Sequence, residues 1–173
     1  RKDRFQSHLQ PPEGSPDDMG NAGQDSSVTA EPSCPFCTIV QRNDPDVREV
    51  YRDDQAVAFF PTEPAVLGHT MIVPRAHAPL IWELRDDDAE HIGLLISRMS
   101  RVIVETIGAE GLNVIQSNGE VATQSVNHVH VHLVPRWKDD AIGRIWPPET
   151  HYSEHAKDET WDALRDACRG VRL

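Results

Sequence analysis

Val126-Asn127-His128-Val129-His130-Val131-His132-Leu133-Val134 is the stretch from which the rest of the chain can be read. Strand side chains alternate faces. A continuous strand here puts His128, His130 and His132 on one side and Val129, Val131 and Leu133 on the other. Same-face neighbours then stand roughly 7 Å apart. The valine and leucine side suits packing under a helix. A core strand has no need of three imidazoles, and a solvent face that happens to use histidine is the bland alternative. Two functional readings remain: a metal site, or a site for an anion with one histidine as nucleophile. His128 and His132 lie too far apart to reach one ion at about 2 Å each, unless the strand bends sharply. The row can, however, line an elongated anion. A neutral imidazole is a competent nucleophile toward phosphorus when its other ring nitrogen is held as a donor.

Around this row the pattern alternates short strands and turns. Residues 48–52 and 56–60 read as strands, with Asp53-Asp54-Gln55 as the turn between them. Residues 69–73 form a third strand, entered through Gly68 and stopped by Pro74. A long helix follows, with Asp86 as N-cap and Asp87, Asp88 and Glu90 at the positive end of its dipole. Ile92, Leu95, Ile96, Met99, Val102, Ile103 and Ile107 keep its apolar rhythm, and Gly108 or Gly111 ends it. Residues 112–116 are a fourth strand and 126–134 a fifth, closed by Pro135. Pro147-Pro148 reads as loop, and a C-terminal helix is placed around 160–168 with Cys168 on a buried face. The expectation is an α+β fold: an antiparallel sheet of about five strands, with the long helix and the C-terminal helix packed on one face.

The 173 residues fit one domain. Apolar residues are 38% and charged residues 26%, low for a chain that is all core, so part of it lies outside the packed unit. That part is 1–33, a tail with only Phe5, Leu9, Met19 and Val28 as larger apolar side chains; such a segment cannot offset its ordering entropy. The folded domain is 34–173. The charge sum, 17 − 28 = −11, argues against non-specific nucleic-acid binding, which needs a basic face. No apolar stretch is long enough for a membrane span, and no signal-type run opens the chain, so the cytoplasm is the expected compartment.

Three cysteines cannot build a disulfide framework, and two of them sit in Cys34-Pro35-Phe36-Cys37. Two thiolates at that spacing supply half of a tetrahedral zinc site. The alternative, a thiol-redox motif, should follow a strand and open a helix, whereas here a polar tail precedes it.

The run from His128 to Arg136, with Gln124-Ser125 upstream, resembles the signature of the histidine triad superfamily. Gly111-Leu112-Asn113, Asn118-Gly119, Gly68-His69-Thr70 and Val73-Pro74-Arg75-Ala76-His77 match its other motifs, over about 34–146. The resemblance implies a homodimeric enzyme that hydrolyses or transfers nucleoside monophosphates from nucleotide–X conjugates of a purine nucleotide. His130 would attack the α-phosphorus, with His132 and His69 around the phosphate and Ser125 on the leaving-group side. Gln124, Asn118 and Gly119 would hold phosphate or ribose, and Phe36, Val40, Phe59 and Thr62 would line the base and sugar pocket. It also implies a structural zinc on Cys34, Cys37, His77 and His128, with no catalytic metal required. Pro61 stands where many members carry an acidic ribose ligand, and Thr123 replaces the usual glycine before Gln-Ser. Both bear on substrate range. A nucleotide-binding sensor with little turnover would use the same pocket, and only kinetics separates the two. His91, His151 and His155 read as surface. Trp137 and Trp146 either shape the leaving-group side or pack loops.

Overall fold

The computed structural model describes residues 34–146 and 150–169. The chain runs α1 (Pro35–Gln41), β1 (Glu49–Arg52), β2 (Ala56–Phe59), β3 (Thr70–Pro74), α2 (Asp86–Ile107), β4 (Gly111–Gln116), β5 (Val131–Arg136) and α3 (Glu154–Cys168), with 3-10 turns at Ile81–Glu83 and Glu120–Ala122. The sheet has five antiparallel strands in the order β1-β2-β3-β5-β4. This is the α+β class read from the sequence.

Alternation along the central strands sorts their side chains between two cores. Ala56, Ala58, Ile72, Val131 and Leu133 face α2, meeting Ile92, Leu95, Met99 and Ile103. Val57, Phe59, Met71 and Val73 face the other way, onto Cys34, Phe36, Cys37 and Val40 of the α1 segment. The helices therefore do not share one face. Sequence reading missed α1, because its seven residues are too short to display a 3.6-residue period and its N-cap is a cysteine that makes no side-chain cap. Arg52 fastens α1 down: its guanidinium donates to the carbonyls of Val40 at 2.8 Å, Ile39 at 3.2 Å and Arg42 at 3.3 Å, groups that a helix C-terminus leaves without partners.

Several expectations change in the structure. Arg85, not Asp86, is the N-cap of α2, and it pairs with Asp88 at 3.0 Å. Pro135 does not close β5, which runs on to Arg136; the β3 ladder ends at Leu133, so Pro135 is paired only by Leu112 of β4. The C-terminal helix starts earlier, at Glu154, capped by the Ser153 hydroxyl, and none of its residues is buried. Cys168 is accordingly exposed rather than set in a packed face. Its sequence is too polar, with Trp161 and Leu164 as its large apolar side chains, to compete for core. Gly108 ends α2 in the left-handed conformation, φ 64.

The β1–β2 turn forms as expected around Asp53, whose Oδ1 accepts from Gln55 N at 2.9 Å and Ala56 N at 2.8 Å. His91 is more than surface. Its Nε2 meets Asp53 Oδ2 at 2.9 Å and ties α2 to this turn. Trp137 resolves as loop packing: its indole N–H donates to the Gly108 carbonyl at 3.0 Å. Residues 1–33 and Pro147-Pro148 lie outside the described residues. No described helix is long and apolar enough to cross a membrane.

Candidate active site and metal centre

The histidine row is broken in the middle. β5 begins only at Val131, where the ladders to Ile72 and Gln116 both start. Residues 126–130 are irregular, with His128 N donating to Val126 O at 2.8 Å and Val129 N to Ala78 O at 2.7 Å. The expected single face therefore divides into two sites. His128 turns toward the cysteines, while His130 and His132 stay together, ring centroids 5.0 Å apart.

Hydrogen bonds fix the tautomers of the second group. Ala65 N–H donates to His69 Nδ1 at 3.1 Å, so the His69 proton sits on Nε2. That Nε2 lies 2.9 Å from His132 Nδ1 and donates to it, which leaves the His132 proton on its own Nε2. His130 Nδ1 donates to the His128 carbonyl at 2.7 Å, so its Nε2 carries the free lone pair. Burial pushes the His132 imidazole down to about 4, with repulsion from His130 and His69 adding to it. Burial also lowers His69. Both rings are neutral hydrogen-bond groups at neutral pH. One expected consequence is a stability loss in acid. His132 protonates at about 4 in the fold and near 6.5 when unfolded. Its contribution is whole above about pH 6.5 and declines as pH falls toward 4, because the unfolded chain then binds more protons. Melting temperature measured across that window should drop steadily; a flat profile contradicts the assignment.

The remaining residues expected at the site fall into three groups. Gln124 and Asn118 are committed to the protein itself. Gln124 Oε1 accepts from Gly119 N at 2.6 Å and its Nε2 donates to Pro79 O at 2.7 Å. Asn118 Oδ1 accepts from Ile81 N at 2.8 Å, and its Nδ2 donates to Gln116 Oε1 at 2.6 Å. Together they clamp the loop at 117–124 to the segment 79–81. Ser125 and Thr62 are exposed. Phe36, Val40 and Phe59 are buried in the α1-side core, and Phe36 sets its ring edge-on to His130, centroids 5.1 Å apart. Thr123 adopts φ 66. That explains why glycine suits this position, since a β-branched residue there is strained by about 1 kcal/mol or more. Thr123→Gly should therefore stabilise the fold by up to about 1 kcal/mol, after the entropy glycine adds to the unfolded chain. Denaturant melting checks it; a loss of stability would show that the loop needs the threonine.

Cys34, Cys37, His77 and His128 converge, their ligand atoms all within 4.8 Å of one another. His128 Nδ1 lies 3.4 Å from Cys34 Sγ, 3.6 Å from Cys37 Sγ and 3.2 Å from His77 Nδ1; Cys37 Sγ and His77 Nδ1 are 3.3 Å apart. Metal–ligand bonds of about 2.0–2.3 Å in a tetrahedron require ligands roughly 3.3–3.8 Å apart, so the cage fits one small ion. The donor chemistry fits too. His128 Nε2 donates to the Pro74 carbonyl at 2.9 Å, which leaves the Nδ1 lone pair aimed into the cage. Burial, then repulsion from His77 and His130, lowers this imidazole to about 4 against the opposing Pro74 bond, so it is neutral as a ligand must be.

Residues 42–139 match the family model described as HIT domain. The chain belongs to the HIT family, and the two cysteines lie just ahead of the matched segment. It is 34% identical over 116 residues to the adenosine 5′-monophosphoramidase hnt1 of Schizosaccharomyces pombe, covering 66% of this chain and 84% of that one. A crystal structure of a HIT family member from Bacillus subtilis superposes with TM-score 0.70 at 30% identity, over 78% of this chain and 96% of the other. A zinc-bound histidine triad protein from Mycobacterium smegmatis superposes with TM-score 0.60 at 26% identity, over 80% and 98%.

Proposed function

We propose that this protein is a nucleoside monophosphate hydrolase or transferase that cleaves nucleotide–X conjugates at the α-phosphate through a nucleotidyl-His130 intermediate. The observation that carries the reading is the fixed tautomer of His130, with Nδ1–H spent on the His128 carbonyl and Nε2 left as the lone pair. In the first step a bond forms from His130 Nε2 to the α-phosphorus and the P–X bond breaks, X leaving with its electron pair and taking a proton from solvent water. In the second, a water oxygen bonds to phosphorus and gives a proton back to solvent, the P–Nε2 bond breaks with its electron pair returning to the imidazole, and the monophosphate departs. His132 presents its Nε2–H to a phosphate oxygen, oriented through His69. Such transfer depends on positioning and charge stabilisation, which imidazole and amide donors supply. Ser125, exposed and shortly ahead of the row in sequence, serves the leaving-group side. Gln124 and Asn118 act by shaping the loop whose backbone meets the phosphate, with Gly119 in it. Thr62 borders the nucleoside, and Phe36, Val40 and Phe59 form the apolar floor behind it.

The similarity to a named adenosine 5′-monophosphoramidase supports an adenine nucleotide with a P–N bond as the first substrate to try. The Cys2His2 cage takes zinc, a closed structural site that leaves no position for a reacting water. The protein works as a cytoplasmic homodimer. The test is AMP release from adenosine 5′-phosphoramidate, an adenylated amine and a diadenosine polyphosphate. Release supports the enzyme, and the relative rates identify the leaving group. AMP binding without release from any of the three would overturn it in favour of a nucleotide sensor.

A further inference from the structure

His128 serves two groups at once. Its imidazole, fully buried, sits in the cage with Cys34, Cys37 and His77. Its carbonyl oxygen accepts the Nδ1–H of His130 at 2.7 Å. The cage touches the nucleophile a second way. Phe36, between the two cysteines, packs edge-on against both His128, centroids 6.0 Å apart, and His130, 5.1 Å. The segment next to His77 joins in, as the Ala78 carbonyl holds Val129 N at 2.7 Å. Residues 126–130 belong to no strand, so the direction of the His128 carbonyl follows from the grip on its ring and neighbours rather than from a ladder.

We infer that the Cys34–Cys37–His77–His128 cage is the positioning element of the nucleophile, aiming the His128 carbonyl at His130 Nδ1 and thereby keeping the lone pair on Nε2. The inference rests on His130 being the nucleophile. An imidazole without such a partner divides between two neutral tautomers, and only the one with hydrogen on Nδ1 offers a lone pair at Nε2. A cage that loses its ion releases the His128 ring, the carbonyl turns, and the His130 population spreads over both tautomers. Metal content and reactivity are then linked through one peptide group, although no reacting atom touches the cage.

Ring nitrogen NMR of His130 tests this on the full chain, at a pH where imidazoles are neutral. Zinc-loaded, chelator-stripped and zinc-restored samples are compared with the double variant Cys34→Ser, Cys37→Ser. The loaded protein should show hydrogen on Nδ1 alone. The stripped protein and the double variant should show mixed tautomers, with AMP release at least tenfold slower, and restored zinc should recover both readings. His91→Ala loosens α2 from the β1–β2 turn and is the control: lower stability, unchanged tautomer. An unchanged His130 signature in stripped, folded protein overturns the inference, even if AMP release falls. Should the stripped chain fail to fold, the single variant His77→Asn decides, since it removes one cage ligand and keeps the thiol pair and His128. Mixed tautomers with a lower kcat in this zinc-poor variant support the positioning role; an unchanged His130 tautomer in it overturns the inference. A loaded enzyme inactive toward all three conjugates removes the nucleophile reading, while the tautomer comparison still decides the linkage.

Discussion

His130→Ala should release no measurable AMP, a loss of at least about 10⁴-fold, while AMP still binds. The expected size follows from the role. Removing a covalent nucleophile eliminates the two-step route rather than weakening one contact. Binding should survive because the groups around His130 keep their own supports. His69 and His132 are bonded to each other, and Gln124 and Asn118 are bonded to the 79–81 segment. Phe36 loses a ring neighbour but keeps Phe59, centroids 5.9 Å away. Turnover by steady-state kinetics and AMP affinity by calorimetry separate the two effects. Retained turnover would exclude His130 as nucleophile, and lost binding together with lost turnover would show that the ring holds the pocket up instead.

Stripping zinc, or replacing Cys34 with serine, should lower the melting temperature by roughly 10 °C, equivalent to several kcal/mol. Both cysteines are core residues on the α1 side of the sheet, at 6% and 2% exposure, so the cage lies inside a hydrophobic cluster and not on a surface loop. It joins α1 to the loop after β3 and to the segment before β5. An ion there closes long stretches of chain, and its loss leaves two thiols and two imidazoles facing one another in an apolar setting. The smaller effect relative to a zinc finger reflects the second core under α2, which needs no metal. Metal analysis should give one zinc per chain, falling with the melting temperature. If chelation changes neither, and no metal is found, the zinc assignment fails.

Much of this architecture was legible in the residue order. The two-residue alternation of β2, β3 and β5 sorts Ala56, Ala58, Ile72, Val131 and Leu133 from Val57, Phe59, Met71 and Val73, as the two cores show. The long helix was readable because twenty-two residues display several turns of one period, and of the two glycines that could end it the structure uses Gly108. α1 was not readable, since seven residues do not. The first half of the histidine row misled for a different reason. Its alternation is that of a strand, but a strand needs partners. Both neighbouring ladders stop at Val131, so 126–130 has no sheet to join.

By itself the sequence determined the family, the class of fold and the chemistry available: three imidazoles, a fourth in His69, and a thiol pair. These are carried by residue type and local spacing, and side-chain periodicity is a property of a few consecutive residues. Only the tertiary structure decided which partner each histidine meets. His128 joins Cys34 across 94 positions, and His69 joins His132 across 63. The tautomer of each ring is set by the partner it meets, and those partners arrive from distant segments only when the chain closes on itself.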